Sequence, residues 1–174
     1  GASGDAISLA ATSLATDTST GNGAQFLTES NSVNWNNSTA GSGTIDLDGG
    51  TFNIPSGQTI TGNVAVNSGA ILTGVGTVSA GVTVASGGTI FLGTDTAISS
   101  TGKLVLNAGS TTLLEVEGTG GVGDENGHDQ INVTGTTSLG GTLTLDVAQI
   151  SSGEVSLGQT FTIIQSTGAI SGTF

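Results

Sequence analysis

The sequence has almost no positive charge. Lys103 is its single Lys or Arg residue, against 13 Asp and Glu residues, and the formal net charge is −12. A protein that binds nucleic acid replaces the counterions around the phosphates with Lys and Arg. Nucleic acid and anionic membrane surfaces are therefore poor partners for this chain. Its carboxylates, set among Thr and Asn, are hard oxygen ligands that leave calcium as a candidate.

Cysteine and methionine are absent. Their absence excludes a disulfide framework, thiol chemistry and a zinc–thiolate site, and the lack of cysteine fits an exported protein. No stretch approaches ~20 consecutive apolar residues, so we expect no helical membrane insertion. We expect an extracellular or cell-surface location.

Proline and aromatic residues are also scarce, whereas glycine is abundant, with 31 residues against one proline. Such a composition can indicate disorder. Val, Ile, Leu and Phe nevertheless make up about a quarter of the chain, above the level of roughly a fifth below which disorder is expected. These apolar residues alternate with polar ones, which favours a folded β protein.

A short pattern of apolar, any, apolar, any, any, Gly recurs along the chain. Each copy predicts a short strand with two side chains on one face, followed by a turn in which glycine adopts a positive φ. The copies are Ile45 to Gly50, Phe52 to Gly57, Val64 to Gly69, Val82 to Gly87 and Leu104 to Gly109.

The spacing of these copies is close to 20 residues, with 18 from Val64 to Val82 and 22 from Val82 to Leu104. No helical segment lies between them, and this period suits one coil of a solenoid with two or three strands. We expect six or seven coils, with Val64, Val82 and Leu104 in one ladder and Val66, Val84 and Leu106 in another. A β-sandwich is the alternative, but its core usually holds more aromatic residues.

The two ends of the sequence differ from its middle. Residues 1–43 lack the glycine pattern and are expected to be an N-terminal cap or assembly segment, with residues 44–174 forming the solenoid domain. Residues 118–129 are expected to form a polar loop. Ile7, Ala10, Ala11, Leu14 and Ala15 recur at helical spacing, while Ile7, Leu9 and Ala11 fit a strand equally. Longer apolar strands are predicted near Ile131–Val133, Thr142–Val147 and Thr160–Ile164.

Several segments resemble the passenger-type β-helix repeats of bacterial autotransporter adhesins. They are Gly69–Val78, Val82–Thr89, His128–Leu145, Gly158–Ile164 and Ile170–Phe174. The resemblance covers about residues 44–174 and implies a right-handed parallel β-solenoid exported to the cell surface. It does not specify an activity, because such repeats are scaffolds for many functions. Phe91-Leu-Gly-Thr-Asp95 departs from the Ala-Pro-Gly turn that is frequent in the family.

The densest polar cluster contains a candidate calcium site. Asp124, Asn126 and Asp129 stand at spacings that partly resemble a calcium-binding loop, although the full EF-hand spacing and its final Glu are missing. The alternative is a solvated turn in which Asp129 accepts a hydrogen bond from the turn backbone. No other cofactor is expected.

The sequence offers little for catalysis. Two carboxylate pairs, Asp46 with Asp48 and Glu115 with Glu117, could act as glycosidase acids if held at a suitable distance. Each pair flanks an apolar residue on a predicted strand, which instead indicates a solvated strand face. A polysaccharide lyase usually needs a strong base or cation, and Arg is absent. His128 is the single histidine, and a hydrogen-bonding role suits it better than catalysis. We therefore expect no enzymatic activity.

Two aromatic residues are candidates for packing or assembly. Trp35 is expected to pack the cap onto the first coil, with a ligand or subunit contact as the alternative, and Phe174 lies in the last predicted coil. The favoured function is a structural subunit or stalk of a bacterial adhesin or extracellular filament. It would assemble through end-to-end stacking or strand donation, because open strand edges pair with other chains. The alternatives are a monomeric module that binds host or surface glycans and a polysaccharide-degrading β-helix enzyme.

Overall fold

The computed structural model describes residues 7–93, 97–100, 102–124, 126–147, 150 and 155–174. This part of the chain is all-β, and its parallel strands stack as a β-solenoid. The predicted all-β parallel solenoid is confirmed. The strands are β1 (Ile7–Leu9), β2 (Ser13–Leu14), β3 (Gln25–Trp35), β4 (Ser38–Ile54), β5 (Thr59–Val66), β6 (Ala70–Gly74), β7 (Thr77–Val78), β8 (Val82–Val84), β9 (Thr89–Phe91), β10 (Ala97–Ser100), β11 (Leu104–Leu106), β12 (Thr111–Glu115), β13 (Gln130–Val133), β14 (Thr137–Leu139), β15 (Thr142–Asp146), β16 (Ile164–Ser166) and β17 (Ile170–Gly172).

Each turn of the solenoid contributes to three faces. The first face stacks β1, the start of β3, the middle of β4, the end of β5, β8, β11, β14 and β17. The second stacks β2, the ends of β3 and β4, β6, β9, β12 and β15. The third stacks the starts of β4 and β5, then β7, β10, β13 and β16. The sequence left two or three strands per coil open, and the structure has three.

The predicted ladders are confirmed on the first face. Val82 pairs with Val64 on one side and with Leu104 on the other. The second ladder joins Val84 to Val66 and Leu106 in the same register. These side chains are almost completely buried, because each rung is covered by the next.

The five turn glycines of the recurring pattern all adopt a positive φ, as predicted; they are Gly50, Gly57, Gly69, Gly87 and Gly109. Gly50 and Gly57 require glycine for different reasons. At Gly50 (φ +80°) a Cβ atom would lie 2.2 Å from the carbonyl oxygen of Glu29, so the next rung leaves no room for a side chain. At Gly57 (φ +77°) a Cβ atom would meet no described heavy atom within 4 Å. Only the backbone conformation calls for glycine there.

Two aromatic rings pack together in the core of the first turns. Trp35 and Phe52 are fully buried, and their rings meet edge to face with centroids 5.8 Å apart. The indole N–H of Trp35 donates to the Ser38 hydroxyl over 3.0 Å. This bond satisfies the only polar atom of the Trp35 side chain, so the whole residue can be buried.

The N-terminal segment is part of the stack. Of the two interpretations of residues 7–15, the helical one is wrong: Ile7–Leu9 and Ser13–Leu14 are strands that pair in parallel with β3. Leu14 lies against Trp35 in the register of the second face. Strand β4 runs through residues 43 and 44, so the stack continues across the expected domain boundary.

The turns lengthen toward the C-terminus. Leu104 and its partner Thr137 are 33 residues apart. Two sets of described residues, 116–124 with 126–129 and 150 with 155–163, lie outside the named strands as insertions between consecutive turns. The strand predicted at Thr160–Ile164 begins only at Ile164, because the residues before it belong to the second insertion.

Candidate functional site

The C-terminal end of the solenoid has open strand edges. Strand β15 pairs with β12, β16 with β13 and β17 with β14. No strand of the described chain pairs with the opposite edges of these three strands. The surface formed by β15, β16, β17 and the final residue is called the C-terminal end below.

Apolar side chains crowd this end. Ile170 is 51% exposed, Leu145 44% and Phe174 40%. Leu145 stacks on Leu114, which is fully buried one rung below. The ladders of the core therefore run to the surface here, since no described rung covers the last one. Exposed apolar patches of this kind mark interaction sites.

The opposite, N-terminal end is formed by β1, β2 and the residues around Asp17. Strands β1 and β2 each pair only with β3 among the described strands. Ile7 is 58% exposed although it stacks on the buried Leu27. A cleft of about 300 Å³ opens here, lined by Ile7, Thr16, Asp17, Thr18, Ala24, Gln25, Phe26 and Leu27.

Gln25 shapes the floor of that cleft. Its side chain is buried, and its Nε2 donates to the Thr18 hydroxyl and to the Thr39 carbonyl, each over 3.1 Å. The hydroxyl of Thr16 donates to its Oε1. These bonds fix the first turn, so the cleft is a preformed surface of the N-terminal end.

The two ends carry little charge. Residues 155–174 contain no charged side chain, although the chain as a whole has a net charge of −12. At the N-terminal end, hydrogen bonds from Ser19 hold the pKa of Asp17 below its ordinary value; one is its backbone N–H at 2.8 Å. Contact between the two ends would bring few like charges together.

The three residues of the candidate calcium site differ in exposure and in hydrogen-bond partners. Asp124 is exposed and accepts the Gly121 N–H over 2.9 Å. Asn126 is exposed as well. Asp129, by contrast, is buried, and its Oδ2 accepts the N–H of Glu115 over 2.9 Å. No group of three or more acidic, His or Cys residues suited to a metal ion occurs among the described residues. The bond to Asp129 supports its structural interpretation, while calcium binding stays a prediction.

His128 links the two insertions. Its ring meets Phe161 edge to face, with centroids 5.3 Å apart. Its Nδ1 atom is buried without a hydrogen-bond partner among the described residues. The contact holds Phe161 against the polar loop, while the expected hydrogen-bonding role of His128 stays a prediction.

The two carboxylate pairs have different surroundings. Asp46 is half-buried, and its pKa is raised, first by desolvation and then by the charge of Asp48. Asp48 is exposed and accepts a hydrogen bond from Asn67 over 2.7 Å. The expectation that Glu115 is solvated is wrong. It is buried because residue 129 folds back onto the end of β12, where the N–H of Asp129 also donates to the Glu115 carbonyl over 2.9 Å.

Among the predicted packing residues, Trp35 lies in the core and Phe174 at the C-terminal end. Sequence reasoning missed Ile7, Leu145 and Ile170 as end residues. Each follows the same alternating pattern as a core residue, so the pattern alone does not distinguish a covered rung from an open one.

No protein-family model matches the chain, and comparisons with curated proteins and with solved structures found no match. Among the described residues there is no helix long and apolar enough to cross a membrane.

Proposed function

We propose that the chain is a non-enzymatic structural protein of the bacterial cell surface. It serves as a subunit or stalk of an adhesin or extracellular filament, and its solenoids associate end to end. The observation that carries this proposal is the C-terminal end, where the outer edges of β15, β16 and β17 have no partner among the described strands and Ile170, Leu145 and Phe174 are exposed.

The physical basis is the incomplete last rung. Open strand edges pair readily with another chain unless charge, proline or a covering segment prevents it. The C-terminal end carries one charged side chain, Asp146 in β15, and no proline, and residues 155–174 have no charged side chain. A second copy offers parallel strands of the same three-faced cross-section, so its first rung can cover this surface and bury the apolar side chains.

The surface location is supported by the resemblance of residues 44–174 to autotransporter passenger repeats and by the lack of cysteine. The proposal of a structural role also rests on the composition. Arginine, cysteine and tyrosine are absent, lysine occurs once, and the single histidine packs against Phe161, so few side chains other than carboxylates are at hand for acid–base catalysis.

Electron microscopy of the purified chain over a range of concentrations tests the proposal. We expect filaments or short stacks one solenoid wide, which Ile170→Asp abolishes by placing a charge in the contact. Val75→Asp is the matched control, because Val75 is 36% exposed on a middle turn, away from both ends. Strictly single particles of the unmodified chain, or equal assembly of both variants, would contradict end-to-end association.

A further inference from the structure

Two hydroxyl groups lie inside the solenoid, where β12 begins. Ser110, just before this strand, is 1% exposed, and Thr112 within it is fully buried. Neither Ser110 Oγ nor Thr112 Oγ1 has a hydrogen-bond partner among the described residues. On folding, a hydroxyl in this position gives up the hydrogen bonds that water makes with it in the unfolded chain. The pair therefore indicates a site for a small polar ligand.

Both side chains face the core. Burial alternates through this segment, with Ser110, Thr112 and Leu114 buried and the residues between them partly exposed, as expected for a strand with one inner face. The two Cα atoms are thus about 6.6 Å apart. A water molecule that bonds to two oxygens at ~2.8 Å each spans about 5.6 Å between them. Hydroxyls at this spacing come within that distance when they turn toward each other.

The neighbouring rungs leave the Ser110 hydroxyl without a side chain stacked on it. Extending the registers of β9 and β15 with β12 by one residue places Gly88 on one side of Ser110 and Gly141 on the other. At Gly141 a Cβ atom would lie 2.5 Å from Ser110 Oγ. Any larger residue at position 141 would therefore press on the hydroxyl, whereas glycine leaves it accessible to a molecule as small as water.

Thr112 lies one rung from the open C-terminal end. Its partner on that side is Leu143, which is only partly buried, so water has a short path to the site. Another inner hydroxyl, that of the buried Thr137, is satisfied within the chain: it donates to Ser166 Oγ over 3.2 Å. The chain supplies no such group to Ser110 or Thr112 among its described residues.

We propose that Ser110 and Thr112 bind an internal water molecule that bridges their hydroxyl groups. Each hydroxyl both donates and accepts hydrogen bonds, as water does. Neither carries the charge that an ion would need for compensation in an apolar core. Buried waters of this kind satisfy polar groups that the chain leaves unpaired. This inference does not depend on end-to-end association, and either can fail without the other.

A crystal structure of the unmodified protein, at a resolution that shows ordered solvent, tests the site directly. We expect one water within hydrogen-bond distance of both Ser110 Oγ and Thr112 Oγ1. In solution, the Thr112 methyl group should show a magnetisation-transfer cross-peak to a long-lived water. A core with no water in contact with both hydroxyls would overturn the proposal.

The variant Thr112→Val keeps the shape of the side chain and removes its hydroxyl. If the bridge exists, the water loses a partner, and the midpoint of thermal unfolding should fall by about 2–4 °C, the shift for roughly one hydrogen bond in a chain of this size. Without a water, removal of an unpaired buried hydroxyl should instead raise the midpoint. Thr111→Val is the matched control, because it changes a partly exposed hydroxyl next to this site and should shift the midpoint less.

Combination with Ser110→Ala checks that the two hydroxyls share one ligand. Residues coupled through a common partner give non-additive losses, so the double variant should lose less thermal stability than the sum of the two single variants. A midpoint that rises with Thr112→Val, or losses that add, would overturn the bridging water.

Discussion

The middle turns and the C-terminal end use the same sequence pattern with opposite results. Val66 and Val84 on the middle turns are almost completely buried, whereas Ile170 is half-exposed on the same face. All three are inward residues of short parallel strands. In a solenoid each rung contacts only its neighbours, so a side chain becomes core only when the next rung is present. The last described rung thus presents inward side chains that no other described rung covers.

The two regions also differ in the length of their turns. Between Val64 and Val82 the chain takes 18 residues to complete a turn, whereas 33 separate Leu104 from Thr137. The additional residues form insertions beside the stack, fastened by the contact of His128 with Phe161. The regular turns stabilise the interior of the stack, whereas the insertions lie on the turns near the C-terminal end.

The largest expected effect comes from placing the same charge in both regions. Val84→Asp buries an uncompensated carboxylate between two covered rungs and should cost at least ~3–5 kcal/mol of unfolding free energy. Ile170→Asp lies at the open end and should cost about 0.5 kcal/mol or less in the monomer. Urea unfolding under conditions that keep the chain monomeric measures both. Similar losses for the two variants would contradict the difference between covered and open rungs.

Aromatic side chains also differ between the core and the surface of the stack. Trp35→Ala should lower the free energy of unfolding by about 3–5 kcal/mol, because it empties the space between Leu14 and Phe52. The control Phe91→Ala removes an outward-facing, partly exposed ring and should cost clearly less. Sedimentation of folded Trp35→Ala at low temperature should still show assembly. A stable variant that no longer assembles would instead identify Trp35 as an assembly residue.

The turn glycines provide a smaller, internally matched effect. Gly57→Ala imposes only backbone strain, worth roughly 1–3 kcal/mol. Gly50→Ala imposes similar strain and also brings its Cβ against the carbonyl oxygen of Glu29, so it should be the more damaging of the two. Thermal unfolding of the two variants side by side checks the order. Equal losses of thermal stability would show that the backbone around Gly50 and Glu29 shifts easily to accommodate the added Cβ atom.

The smallest expected effect is the pH dependence from Asp46. Its pKa is raised in the folded chain by desolvation and by Asp48, so folding disfavours the charged carboxylate. The resulting loss of unfolding free energy disappears as the pH falls through that raised pKa and the carboxylate is protonated. Asp46→Asn should therefore stabilise the chain slightly near neutral pH, by less than about 0.5 kcal/mol. The gain should vanish in acid. A gain that persists at low pH would assign the effect to another cause.

The sequence predicted the middle of the molecule well because its pattern is local and repeated. The strands at Val64, Val82 and Leu104, their register and the turn glycines follow from alternation and a constant period. Features nearer the C-terminal end were not predicted from the pattern. The burial of Glu115, for example, depends on Asp129, which lies 14 residues away. The exposure of Leu145 depends on which rung is last. The periodicity of the sequence predicts neither feature.

The most direct test of end-to-end association is the axial rise per subunit in filaments, measured by cryo-electron microscopy. The second face has seven rungs among the described residues, and at ~4.8 Å each they predict a rise of about 34 Å, with strands perpendicular to the filament axis. Chains that stay single at every concentration, or filaments joined through the sides of the solenoid, would contradict the account.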